Sequence, residues 1–257
     1  MESEIIKIIF YFFLYSFLGW AMESIYLSFG QRKWVNTGFL YGPFCPIYGF
    51  GAVVLYVLLI KLQGKPLIIF LAGFVVLSIW EYFVGFLLEK LFKTKYWDYS
   101  NNRFNINGRV CLLNSIYWGF LSIFFIEIWN PIIEMQVAKV PDSIILYLDI
   151  ILLAYFVIDI VFSSIKATNL PKRIKKLIKL GETLKVKLEE LKKTSSKKQK
   201  LALQNKIDDL KLRQKIMRVK VDRQIAKLRR AFPSIQSEHI KEYLKLKVQE
   251  LKNKTRE

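Results

Sequence analysis

Five apolar runs crowd the first two-thirds of this chain, and they leave few folds open. A hydrocarbon core about 30 Å thick takes roughly 20 apolar residues as helix. Within lipid the backbone must satisfy its own polar groups, which a helix does. The runs cover about Ile5–Leu27, Pro46–Leu62, Leu67–Phe92, Leu112–Trp129 and Ser143–Ile165. The second is short unless Phe39–Cys45 inserts with it. The expected fold class is all-α: a polytopic helical membrane domain of about five spans over residues 1–168, then a cytoplasmic basic helical or coiled-coil tail over residues 169–257. The first run reads as a retained span. MESEIIK places two acids before its first base, the apolar run is long for a secretory signal, and no small-residue cleavage site follows.

Charge divides the chain at the same place. Residues 1–165 hold 11 Lys+Arg and 11 Asp+Glu, whereas residues 166–257 hold 29 and 10, so the whole net charge of +19 lies in the tail. The join falls near Asn169-Leu170-Pro171. Lys and Arg in short loops set orientation. Arg32 and Lys33 lie between runs one and two, and Lys90, Lys93, Lys95, Arg103 and Arg109 between three and four. The opposite side has Lys61, Lys65 and Lys139. The more basic side, which also carries the tail, should be cytoplasmic, with the N-terminus outside a cell membrane crossed several times. Cys45 and Cys111 then face a reducing compartment, where a disulfide is disfavoured. Two cysteines and the distant His239 give no zinc spacing, and no cofactor is implied.

The stretch FLYGPFCPIYGFG, residues 39–51, is apolar yet rich in helix breakers. A shift of 66 residues relates it to a second place in the chain. Gly19 falls on Gly85, Glu23 on Glu89, Gly42 on Gly108 and Cys45 on Cys111, with Phe17/Phe83, Asn36/Asn102 and Leu55/Leu121 also identical. Either biased composition produces this by chance, or runs one and two repeat as runs three and four in parallel orientation. In the second case GPFCP and GRVCL are the same place, the cytoplasmic start of a returning helix. Pro43 and Pro46 keep that start from being regular helix. Both a tight packing turn and a ligand-lined backbone fit it.

Ionisable residues inside spans are costly and often functional. Glu81 lies well inside the third run, and Glu81, Gly85 and Glu89 follow an i, i+4, i+8 stripe. Glu23 takes the matching place in the first run. Arg109, at the start of the fourth run in NINGRVCLLNS, stands at the level of Glu89 and of Glu23. A structural ion pair and a ligand or ion site are both open for it. The segment KTKYWDYSNNRFNINGRV is long for a membrane connector, and its polar groups mark it as a functional loop or a solvated one. The candidate substrate or ion residues are therefore Glu23, Glu81, Glu89, Asp98, Arg109 and Asn114. Gly42, Pro43, Pro46 and Gly108 shape turns, Cys45 and Cys111 are duplicated thiols, and no metal site is expected.

In this order, GWAMES, GPFCPIYGFG, EYFVGFLLEK, WDYS and NGRVCLLNS resemble the ABC-transporter permease family also called ABC-transporter type IV or CmpB-like. The resemblance covers about residues 8–165. It implies a bacterial polytopic membrane protein and, by the family's name, transport. It brings no established catalytic or binding residues with it, and the tail lies outside it.

Along the tail a three-four pattern runs through Leu203, Ile207, Leu210, Gln214, Met217, Val221, Gln224 and Leu228. An earlier stripe holds Leu177, Leu184, Leu188 and Leu191, and TSSKK at 194–198 separates the two, which suggests a helical hairpin. Pro233-Ser234 is expected to start a third helix carrying Ile240, Leu244, Val248 and Leu251 on one face. The lysines suit anionic membrane lipid. Nucleic acid is disfavoured, and a homo-oligomer through the coiled coil is an alternative partnership.

No G-x4-G-K-[ST], H-E-x-x-H or G-x-S-x-G occurs, so the chain carries no P-loop of its own. Three functions remain: the membrane subunit of a transporter served by a separate ATPase subunit, a membrane scaffold or sensor acting through its tail, or a membrane enzyme using cytoplasmic-side carboxylates. The first is preferred on the resemblance. Substrate and direction of transport are not legible.

Overall fold

A computed structural model describes residues 2–254, and 80% of the protein is helical. Two compact units divide it. One takes Met1–Ser164 with Arg230–Ile235, the other Ile165–Arg229 with Gln236–Glu257.

In the first unit α1 (Glu2–Gln31) packs mainly on α2 (Pro46–Leu59), and α3 (Pro66–Phe92) mainly on α4 (Leu112–Phe124). Proline opens α2 and α3, where its missing N–H costs nothing and its fixed φ suits the first helical turn. One tight turn, Ile60–Leu62, extends α2. A wide turn, Phe125–Trp129, joins α4 to α5 (Asn130–Val137), with the Asn130 amide reaching back to the Phe125 carbonyl. α6 (Asp142–Lys193) begins in this unit. The core centres on Tyr11, Tyr15, Ile69, Ile126 and Ile145.

Among the described residues four helices are long and apolar enough to cross a membrane: Glu4–Gln31, Pro66–Phe92, Leu112–Val137 and Asp142–Lys193. Only 22–28% of their apolar windows is buried inside the protein. Apolar surface this continuous would aggregate in water, so its counterpart is lipid. The second expected span is the shorter Pro46–Leu62. At 1.5 Å per residue it reaches about 25 Å, slightly under a hydrocarbon core of about 30 Å.

Three boundaries differ from those expected. The fourth run does not stop at Trp129. Asn130-Pro131 looks like a stop, yet the wide turn takes up the break and places Pro131 in the first turn of α5. The fifth does not stop at Ile165, because α6 continues to Lys193 with Pro171 inside it. Interior proline costs about 3 kcal/mol. Burial of Leu170, Ile174 and Leu177 around it, to 5%, 0% and 3% exposure, opposes that cost. The last helix, α8 (Glu238–Lys254), starts after Ser237, not at Pro233. Phe232–Ile235 forms a turn, and the Ser237 carbonyl accepts from the Lys241 amide.

The connection between α3 and α4 also holds the only two strands among the described residues, β1 (Asn105–Ile106) and β2 (Val110–Cys111), paired antiparallel. Asn107 and Gly108 both have positive φ, and the Arg109 amide bonds the Ile106 carbonyl. This is the two-residue hairpin turn that Asn-Gly favours.

In the second unit the distal part of α6 and α7 (Lys197–Ala231) meet through paired side chains. Gln224 donates to the Lys166 carbonyl at 2.8 Å, and Arg173 donates to Gln224 at 3.4 Å. Every residue of the expected seam from Leu203 to Leu228 is buried or half-buried. Tyr243 and Lys247 of α8 both bond Asp222 of α7, each at 2.9 Å. The seam is thus used within one chain, between helices separated by Thr194–Ser196.

Candidate functional site

The site begins at the starts of the two returning helices, α2 and α4. Cys45 and Cys111 both sit, in extended conformation, immediately before the first residue of α2 and of α4. Both thiols are free and buried. The chain around Cys45 is tied down from several sides. Its amide bonds the Ser16 carbonyl at 2.9 Å. The amides of Tyr41 and Gly42 bond the two oxygens of Asp159 at 3.0 and 2.7 Å. A Cβ on Gly42 would collide with the Tyr155 hydroxyl, which explains the glycine. Pro43 belongs to this irregular approach, and Pro46 is the first residue of α2.

Glu89 and Arg109 are brought together. The guanidinium donates to Glu89 Oε2 through Nε at 3.1 Å and Nη2 at 2.9 Å, and to the Tyr82 hydroxyl through Nη1 at 3.1 Å. It lies over the Tyr82 and Phe86 rings, 5.2 and 5.4 Å from their centroids. Glu23 does not join this pair. Its carboxylate lies among Tyr48, Thr37 and Cys45, with the thiol at 3.9 Å. Asp98 closes a local turn instead, bonding the Ser100 amide and hydroxyl at 3.2 and 2.6 Å beside Gly108. The Asp98 amide in turn donates to Ser234 at 3.2 Å, and Tyr96 stacks edge-on against Phe232.

Glu81 is the buried acid of the site, 4% exposed. Tyr99 donates to its Oε1 at 3.1 Å and the Trp118 indole to its Oε2 at 2.9 Å. Asn114 adjoins both Glu81 and Tyr99. Burial, with the Glu81 carboxylate beside it, holds the Tyr99 phenol above its usual range, so it stays a neutral donor at ordinary pH.

Next to Glu81 a cavity of about 430 Å³ opens between the two helix pairs. α1 contributes Tyr15, Gly19 and Met22, α2 contributes Tyr48 and Ala52, α3 contributes Trp80 and Glu81, and α4 contributes Trp118. Phe125 and Trp129 of the wide turn complete it. Glu81 is the single acidic or basic side chain in this lining. Of the candidate residues read from sequence, Glu81 lines the cavity itself. Tryptophans 80, 118 and 129 and Tyr48 are not among those candidates. A signal for two of them was available: Trp80 and Trp118 lie inside apolar runs, away from the interfacial positions where such residues usually concentrate.

The contacts within the two pairs follow a common pattern. Gly49 meets Ser16, Gly19 meets Tyr48, and Tyr11 faces Tyr56 at 5.5 Å. In the second pair Ser115 bonds Ser78 at 2.7 Å, Glu81 adjoins Asn114, and Gly73 meets Ser122. From the first pair to the second, Tyr11, Ser16 and Gly19 become Gly73, Ser78 and Glu81, each 62 residues on. Tyr48, Gly49 and Tyr56 become Asn114, Ser115 and Ser122, each 66 on. The corresponding contact residues on α2 and α4 are thus 66 positions apart. The outgoing-helix contacts are related by 62 instead, which pairs Gly19 with Glu81 and Glu23 with Gly85, where the single shift of 66 pairs Glu23 with Glu89.

These features define a polytopic helical membrane protein with an aromatic, carboxylate-bearing cavity between two helix pairs. A family model described as putative ABC-transporter type IV matches residues 10–164. The chain belongs to that family. No curated protein and no solved structure matches it.

Proposed function

We propose that this protein is the membrane subunit of a transporter, a permease without its own ATPase, and that the cavity beside Glu81 is its substrate site. The carrying observation is that cavity: an enclosed polar anchor within apolar spans, at the junction of two similarly packed helix pairs. The common contact pattern supports reading the pairs as a parallel internal repeat, and repeat interfaces are where transporters place substrates. The shift of 62 rather than 66 in the outgoing helices fits a second connector lengthened by one helical turn's worth of residues. Five crossings, with α2 included, put the N-terminus outside, and the long α3–α4 connection and the basic tail in the cytoplasm. The Glu89–Arg109 pair then fixes that connection to α3, and the tail lysines meet anionic lipid.

An energy-supplying ATPase requires a cytoplasmic docking surface, and the Lys93–Arg109 connection is the place we assign to it. Phe104 and Ile106 at its hairpin are 79% and 59% exposed, apolar anchors of the kind interfaces bury. Purification in mild detergent from the native host should retain a nucleotide-binding subunit. Replacing Tyr96–Asn107 by a Gly/Ser linker should release it. A monodisperse protein with no ATPase, whose phenotype survives that replacement, moves the reading to a scaffold or a membrane enzyme.

A further inference from the structure

We propose that the cavity beside Glu81 binds a lipophilic monocation that enters from the apolar belt. This deepens the transporter reading, and rests on it for what happens to the ligand after binding. Five observations converge. The volume, about 430 Å³, lies in the range of sites that enclose one small organic molecule. The mouth is lateral: Met22, Phe124 and Trp129 in the lining are 52%, 44% and 37% exposed. They lie in membrane-crossing helices, so the neighbouring phase is lipid and the ligand is lipid-soluble.

Charge selects the sign. A buried carboxylate is costly unless a positive partner meets it. Tyr99 and Trp118, which donate to Glu81, and the adjoining Asn114 are all neutral. Arg109 is engaged with Glu89 and Tyr82 instead. A carboxylate offers about four acceptor sites, more than these donors fill, so room is left for a further partner. A neutral acyl chain would fill the volume and leave the carboxylate uncompensated, and an anion would be repelled.

The aromatic lining suits the same ligand. Trp80, Trp118 and Tyr48 border the cavity around Glu81, with the Tyr48 and Trp118 rings 6.3 Å apart. Indole and phenol faces attract large, weakly hydrated cations. Finally, Phe125 and Trp129 reach the lining from the wide turn that interrupts the α4–α5 helix, a feature concentrated at functional sites.

The test uses the full-length protein in zwitterionic phosphatidylcholine nanodiscs. The probes are tetraphenylphosphonium and tetraphenylborate, matched in shape and opposite in charge. Tetraphenylphosphonium should bind saturably, about one per chain beyond empty nanodiscs, and tetraphenylborate should not. Glu81→Gln should weaken cation binding at least ten-fold, and Glu81→Asp should weaken it less. Ala52→Phe, which fills the cavity and keeps the carboxylate, should also weaken it. Saturable binding of both ions alike, undiminished cation binding in Glu81→Gln, or no saturable cation binding would overturn the proposal. The cation–anion contrast in the wild type and the Ala52→Phe variant decide the matter even should Glu81→Gln misfold. Absent binding beside a co-purifying ATPase rejects the ligand class alone. Binding without any ATPase rejects the transporter reading alone.

Discussion

Replacing Asp159 by alanine is expected to destabilise the membrane unit by about 3–5 kcal/mol, more than any other single polar substitution in it. Asp159 is 6% exposed, and its two oxygens accept the Tyr41 and Gly42 amides. Hydrogen bonds to a charged group contribute about 1.5–3 kcal/mol each, and buried amides left without acceptors carry their full desolvation cost. Asparagine retains one acceptor oxygen and should lose about half as much. The loss should be visible locally as well as globally. Cys45, 3% exposed, lies three residues beyond Gly42 on the released segment. In a Cys111→Ser background, maleimide labelling of Cys45 should accelerate sharply in Asp159→Ala and remain slow in the parent. Equal labelling and an unchanged unfolding midpoint would show that Asp159 does not hold this segment.

Alanine at Gly49 is expected to destabilise, against its helix propensity. Propensity alone favours alanine over an interior helical glycine by about 0.5–1 kcal/mol. The new Cβ, however, would lie 2.5 Å from the Phe12 carbonyl oxygen, 2.9 Å from the Phe12 ring, and closer still to the Ser16 hydroxyl. α1 and α2 must separate to admit it, and such overpacking costs about 1–3 kcal/mol. At Gly30 a Cβ meets nothing within 4 Å, so Gly30→Ala should be neutral or slightly stabilising. Thermal unfolding of both variants in one detergent should show the midpoint falling by several degrees for Gly49→Ala and holding or rising for Gly30→Ala. A stabilised Gly49→Ala would mean that the two helices do not touch there.

Much of the fold was legible because the membrane imposes it. Long apolar runs could only be helices, and the charge step near residue 165 separated them from the basic helices beyond. The tail seam was legible for the same reason that any amphipathic helix is: one face recurs at the helical period. The boundaries were harder. Asn130-Pro131 and Pro171 carry local stop signals, yet a proline outside the ladder's interior costs little, and one inside can be offset by neighbouring burial. Ser237 was the better start signal for α8, but Pro233-Ser234 offers the same kind of signal a few positions earlier.

The site was legible in its charges and illegible in its surroundings. Glu89 lies near the end of α3 and Arg109 just ahead of α4, so their positions in the sequence already bring their levels together. Glu81 stood out as an acid in an apolar run. Its partners did not, because Tyr99 and Trp118 come from a loop and from the next helix. A single shift of 66 pairs Glu23 with Glu89, whereas the contacts within the helix pairs relate Gly19 to Glu81 by 62, and an offset of about one helical turn leaves an apolar pattern unchanged. The hairpin turn at Asn107-Gly108 was readable from Asn-Gly, but a polar connector between apolar spans draws attention to its side chains more than to its backbone.

All of the proposed mechanism depends on α2 crossing the bilayer, because α2 supplies one wall of the cavity and sets the side on which each later helix begins. Reporter fusions at the two ends of the intact chain test this most directly, one reporter active only outside the cell and one active only in the cytoplasm. Five crossings require the end before Met1 to read external and the end after Glu257 to read cytoplasmic. Both ends reading on the same side would contradict five crossings and, with them, the cavity's place between the two helix pairs.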